Sequence, residues 1–171
     1  MNIKVVKVGM FETNCYILEN DEECLIIDPG DDVDKIINSI SKKVVGVLLT
    51  HRHFDHVGAL NDIVKKYNMS VYDKNNLKEG NVNIGKFNFK VMHNPGHTLD
   101  SISFIFDDIM FCGDFVFEGC IGRWDLGGDF SLMQSSIKFL LKSNINYKIY
   151  PGHGNTTTLE KERDMLESYI K

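Results

Sequence analysis

The segment Thr50-His51-Arg52-His53-Phe54-Asp55-His56 sets three imidazoles and a carboxylate within six residues, directly after the apolar run Val44 to Leu49. A lone histidine is more often a satisfied polar residue than a ligand, whereas four such donors at this spacing suit a metal site. In extended chain side chains alternate, so His51 and His53 point to one side, and a turn into a following helix swings Asp55 and His56 toward a second point nearby. One segment can then serve two cations. Three later fragments add donors, each after a predicted strand: Asn94-Pro95-Gly96-His97-Thr98, Cys112-Gly113-Asp114 and Tyr150-Pro151-Gly152-His153-Gly154. In the two Pro-Gly-His repeats a tight turn presents one imidazole with little conformational freedom left. Five of the six histidines are thereby used. The sixth, His93, lies at a strand end and reads as a structural or surface residue.

The elements that must carry these groups alternate in period. Ile3 to Val8, Cys15 to Leu18 and Cys24 to Asp28 read as strands of an antiparallel meander, separated by turn-forming stretches. After Gly30, the positions Val33, Ile36, Ile37 and Ile40 recur at helical spacing with Asp31 or Asp32 as a cap, and Val44 to Leu49 suits a strand buried on both faces. A second helix follows from Leu60, Ile63, Val64 and Tyr67. Strands are predicted at Ser70 to Tyr72, Phe87 to Met92, Ser101 to Phe106, Ile109 to Phe111 and Tyr147 to Tyr150, with a third helix over Ser131 to Lys142. Thr157 with Glu160 reads as a capping box for a last helix ending near Ile170. The sum is a layered α/β protein, sheets inside and helices outside.

Composition bounds the function. A chain of 171 residues with 43% hydrophobic content suits one compact core, and no linker, repeat or low-complexity stretch divides it. The net charge of -5 argues against a nucleic-acid partner. Met1 to Met10 alternates apolar and charged residues and lacks the apolar core of a signal peptide, and no span is long enough for a bilayer, so the expected setting is cytoplasmic, away from membranes. Cys15, Cys24, Cys112 and Cys120 show no CxxC spacing and are expected reduced and mostly buried. Cys120, in a glycine-flanked loop, is the one to watch, burial without function being the plainer reading.

Taken as a set, the H-x-H-x-D-H segment and the downstream histidine, aspartate and histidine resemble the metallo-β-lactamase superfamily, in particular its short glyoxalase II-like (hydroxyacylglutathione hydrolase-like) members. The resemblance runs from Asp28 to His153. It implies an αββα sandwich with metals at one edge: His51, His53 and His97 on the first metal, Asp55, His56 and His153 on the second, and Asp114 bridging them. It also implies that Asp28, ending an early strand, steadies the ligand loop. Two zinc ions fit the ligand types best, iron or manganese being the other options. Two cations about 3.5 to 4 Å apart share a water, lower its pKa toward roughly 7 and so present a bridging hydroxide, which Asp55 helps orient or deprotonate.

For the substrate, Glu118 to Asp129 resembles the Gly-Arg-x-Asp-x-x-Gly-Gly-Asp loop of the small glyoxalase II-like members. Arg123 there either pairs with a substrate carboxylate or makes an internal salt bridge, and Trp124 is either a pocket wall or a core residue. Only eighteen residues follow His153, so the reading is a single domain over 1–171 without the C-terminal helical domain of full-length glyoxalase II. The expected activity is hydrolysis of a small-molecule thioester or ester. The alternatives are a mononuclear-iron persulfide dioxygenase of the same fold and an inactive binding module. The missing secretion signal and His56 in the second site lean away from an antibiotic-degrading β-lactamase.

Overall fold

The computed structural model describes residues 1–171. The chain opens as a meander of β1 (Asn2–Val8), β2 (Thr13–Glu19) and β3 (Glu23–Ile27), then crosses through α1 (Val33–Ser39) to β4 (Lys43–Leu48). Next come the single turn α2 (Phe54–Val57), α3 (Leu60–Tyr67) and β5 (Val71–Tyr72). The second half runs β6 (Gly80–Ile84), β7 (Phe87–His93), β8 (Ile102–Phe106), β9 (Ile109–Gly113), β10 (Val116–Phe117), β11 (Cys120–Ile121), α4 (Phe130–Leu141), β12 (Lys148–Pro151), β13 (Thr157–Thr158) and α5 (Leu159–Ser168). A five-stranded sheet has the order β1-β2-β3-β4-β5, a six-stranded one β13-β12-β9-β8-β7-β6, and β10 and β11 pair as a separate hairpin. No helix is long and apolar enough to cross a membrane.

Side-chain alternation builds three apolar layers. In β2, Cys15 and Ile17 point outward toward Ile36 of α1 and Leu60 and Ile63 of α3, alongside Ile26, Val47 and Leu49. Their neighbours Tyr16 and Leu18 point inward, where they meet Leu25, Ile27 and Leu48 and the aromatic face of the second sheet, Phe89, Phe104, Phe106 and Phe111. The other face of that sheet, with Ile105, Met110 and Ile149, is covered by Met133, Ile137 and Leu140 of α4 and Leu159 and Leu166 of α5. Each such fully buried side chain contributes about 1.5–3 kcal/mol. The result is the αββα sandwich the sequence implied.

Register decides where the chemistry sits. β3 and β4 run parallel, so the loops carrying Asp28 and His51 leave the first sheet at the same edge. β9 and β12 are also parallel, which brings the loops of Asp114 and His153 out together from the second sheet. Loops at strand ends on a rigid sandwich are where binding groups are usually mounted.

Three local expectations need correction. The last helix is capped by Thr158, whose Oγ1 accepts from the Lys161 amide, not by Thr157 with Glu160. Thr157 is instead buried in β13 and donates its hydroxyl to Glu162, so its side chain is already engaged. Asp32 does stand at the N-cap of α1, but in a left-handed conformation with no side-chain cap bond. Cys120 is exposed, unlike the three buried cysteines, because it sits in the short β10–β11 hairpin at the protein surface. The reading also passed over β6: in Gly-Asn-Val-Asn-Ile the glycine and two asparagines dilute the strand signal of Val82 and Ile84, yet it forms a sheet edge paired to β7 through the turn Gly85-Lys86.

Candidate metal centre

All seven residues singled out as ligands meet at the shared edge. Ligand atoms of His51, His53 and His97 lie within 4.8 Å of one another, as do those of His51, His56 and Asp114, and those of Asp55, His56 and His153. His53 caps α2, and this single turn swings Asp55 and His56 away from the extended His51–His53 stretch. Two neighbouring clusters therefore grow from one segment.

Each imidazole is held by one nitrogen so that the other faces inward. His97 Nδ1 donates to the Arg123 carbonyl at 2.5 Å, His153 Nδ1 to the Phe11 carbonyl at 3.0 Å, and His53 Nε2 to the Leu126 carbonyl at 3.2 Å. His56 Nδ1 donates to Asp28 Oδ2 at 2.9 Å. Thr50 donates its hydroxyl to the same carboxylate at 2.6 Å and accepts from His51 Nδ1 at 3.0 Å. Fixing the outer N–H selects the tautomer and leaves an inward lone pair, the form a metal requires.

The inward atoms lack partners of their own. His51 Nε2, His56 Nε2 and Asp114 Oδ1 are buried without a hydrogen bond. His53 Nδ1 and His97 Nε2 face each other at 2.9 Å, although both rings already donate through their other nitrogen. Two lone pairs at that distance repel unless a proton or cation lies between them. Asp114 stands at the centre, with Oδ1 3.4 Å from His56 Nε2 and Oδ2 3.5 Å from His97 Nε2 and 3.6 Å from His153 Nε2. Orphaned buried acceptors, imidazole and carboxylate donors and a central anion fit a pair of divalent cations.

The electrostatics agree. Burial by itself would lower the His56 pKa, but Asp28 and Asp114 overcome it and push it up to about 10. The field that holds a proton there would equally hold a metal cation in its place. Burial, followed by the proximity of His56, drives His51 well below the usual histidine range, and burial also lowers His97. Burial would raise Asp114, yet the surrounding His56, His51 and His153 hold its carboxyl well below the ordinary carboxylate value. Space is equally exacting: a Cβ at Gly152 would lie 2.2 Å from Asp114 Oδ1 and 2.6 Å from the His56 ring.

The site opens into a cleft of about 840 Å³ lined by His53, Asp55, His97, Asp114 and His153. Arg123 lines it but is bonded to Asp125 through Nε at 3.0 Å and Nη2 at 2.7 Å. Trp124 packs at a tilt against Phe130, ring centroids 4.5 Å apart, and is not among the lining residues. His93 is engaged elsewhere, with Lys74 and the Leu77 carbonyl.

Several contributors escaped the sequence reading. Thr13 donates to Asp55 Oδ2 at 3.1 Å. Asn14 Nδ2 bonds the carbonyls of Pro151 and Gly154, both at 3.1 Å, and Tyr16 bonds the Pro151 carbonyl at 2.5 Å. Through these, β2 clasps the loop that presents His153. The stretch Thr13-Asn14-Cys15-Tyr16 carries a hint in hindsight, since Asn14 is a buried amide at the head of the apolar run Cys15 to Leu18.

An αββα sandwich with paired histidine and aspartate clusters at one edge defines a class of metal-binding protein, and comparison with known proteins names it. The metallo-beta-lactamase superfamily model matches residues 8–72 and 69–153, and the chain belongs to that family. It is 32% identical to the hydroxyacylglutathione hydrolase GloC of Haemophilus influenzae, covering 95% of both chains. Among solved structures it resembles the B3 metallo-beta-lactamase BLEG-1, with 30% identity, 99% and 100% coverage and a TM-score of 0.92. It also resembles TTHA1623, crystallised in a di-iron-bound form, with 31% identity, 94% and 96% coverage and a TM-score of 0.84.

Proposed function

We propose that the protein is a binuclear metal-dependent hydrolase that cleaves a small-molecule thioester or ester, in the manner of glyoxalase II. The observation that carries this reading is the convergence of inward lone pairs from five tautomer-fixed histidines around Asp114. His51, His53 and His97 would hold one cation and Asp55, His56 and His153 the other, with Asp114 spanning both. The bound pair would supply Lewis acidity, making water nucleophilic near neutral pH and polarising the scissile carbonyl. Imidazole and carboxylate ligands favour zinc, and the di-iron form of TTHA1623 keeps iron as the competing metal.

The chain's own groups do the rest. Asp55, held by the Thr13 hydroxyl and 3.2 Å from His153 Nε2, would orient an attacking water and receive its proton. The hydroxyl adds to the acyl carbon, the carbon–sulfur or carbon–oxygen bond breaks, and the proton passes to the departing thiolate or alkoxide. Acid and thiol or alcohol are the products. The test pairs elemental analysis with a panel of thioesters, esters and lactones. About two transition metals per chain, and hydrolysis lost on chelation and regained on metal return, are the expected results. A chain that binds no metal would sink the assignment, and one iron per chain with oxygen uptake would instead identify the mononuclear dioxygenase.

A further inference from the structure

The cleft has an apolar wall that the metal-site reading does not use. Phe11 and Phe54 line it while 59% and 70% exposed, and their rings meet edge-on with centroids 5.5 Å apart. Phe117, Ile121 and Leu126 line the same cleft. Exposed large hydrophobics gathered in a concave site mark a binding surface. The wall adjoins the proposed reacting groups. Phe54 precedes Asp55 in α2, the Phe11 carbonyl holds His153, and the Phe117 ring lies 6.2 Å from the His153 ring.

Charge supplies an independent observation. Arg123 is the one lysine or arginine among the lining residues, and Asp125 already engages it through two bonds. The lining carboxylates are Asp55, Asp114 and Glu118, the last paired with Lys161. A glutathione-type thiol carries two carboxylates at neutral pH, and this cleft offers them no unengaged basic side chain.

We infer that the substrate is an uncharged thioester or ester bearing an apolar acyl or alkyl group, which packs against Phe11, Phe54 and Phe117. The inference rests on the hydrolase reading and names the substrate class for that site. Water cleaves the acyl–sulfur or acyl–oxygen bond, releasing acid and thiol or alcohol. The volume of about 840 Å³ accommodates a medium-length chain or an aryl group.

The test uses the metal-loaded protein with two series. One holds a small neutral thiol constant and lengthens the acyl group from acetyl to butyryl and hexanoyl. The other holds acetyl constant and varies the thiol among propanethiol, benzyl thiol and glutathione. In at least one series kcat/KM should rise by up to about fourfold per buried methylene, and the glutathione thioester should fall below the benzyl one. The double variant Phe11→Ala/Phe54→Ala should flatten that rise, mainly through KM, while keeping its metal. Calorimetry with non-hydrolysable thioethers of the same groups gives a readout that does not need turnover, so a chain that binds them but cleaves nothing would fail as a hydrolase and still support the apolar wall. Flat series with equal thioether affinities, or preference for the glutathione compounds, would overturn the inference. So would concentration-dependent dimerisation abolished by the double variant, which would assign the aromatic face to a second copy.

Discussion

Asp28 adopts a left-handed backbone conformation, φ 51°, and its carboxylate reaches Thr50 and His56 at once. One side chain thereby fixes the tautomers of two histidines, His56 directly and His51 through the Thr50 hydroxyl. The Asp28 Oδ2 takes both of those bonds while Oδ1 accepts from the Thr50 amide at 2.8 Å, so asparagine, which tolerates the same backbone and shape, must turn an NH2 group onto one of these donors. Asp28→Asn is therefore expected to weaken metal binding about 10- to 100-fold, read by competition with a chelator of known affinity; unchanged affinity would show that the carboxylate does not orient the ligands. Asp114→Asn removes the anion that offsets repulsion between two close cations. Hydrolysis should drop at least about a hundredfold and bound metal should fall toward one per chain, while His93→Asn, whose ring contacts Lys74 and Leu77, should change little. Two retained metals and near-normal turnover in the Asp114 variant would refute the bridging role.

At the scale of elements, β2 does more than fill the sandwich. Its Asn14 and Tyr16 side chains hold the Pro151–Gly154 loop from the opposite sheet, so His153 depends on a strand far from it in sequence. Asn14→Ala should lower kcat and loosen one metal more than the other, which sequential metal titration would resolve; two equally retained metals would mean that the loop holds itself. The same strand ends at Glu19, buried and bonded to Lys4 at 2.8 Å and to the Ser41 hydroxyl at 2.7 Å. Burial would raise its pKa, but Lys4 and Ser41 outweigh that and lower it below the usual value. A depressed carboxyl stabilises the fold above its unfolded pKa, and that stability is lost as pH falls through the folded value. Glu19→Gln should thus cost about 1–2 kcal/mol at neutral pH and less in acid, seen as a Tm difference that narrows below about pH 4.

For the whole molecule, the metal centre joins loops from both sheets, so its occupancy and the fold are linked. Metal binding to the native state alone raises apparent stability with ligand concentration over dissociation constant, about 2.7 kcal/mol at a hundredfold excess. Stripping the metals should lower Tm by several degrees, reversibly on return of zinc. An unmoved Tm after verified removal would uncouple the site from folding.

The sequence determined the list of candidate metal donors, since histidines and aspartates at fixed spacing after apolar runs are local and chemically distinct. It likewise determined the alternating elements, because burial on a strand or helix leaves its period in the chain, and β7 and α3 show it plainly. What it left open was contact across distance. The carbonyls of Phe11, Arg123 and Leu126 hold three of the five histidines, yet every residue has a carbonyl and none is marked in the sequence. Whether Arg123 met a ligand or Asp125, and whether Thr157 capped a helix or bonded Glu162, turned on which partner lay nearer once the chain had folded. Side-chain type is inherited from the sequence, but hydrogen bonds and ion pairs are settled by distances of a few ångströms, and only the packing of the two sheets sets those.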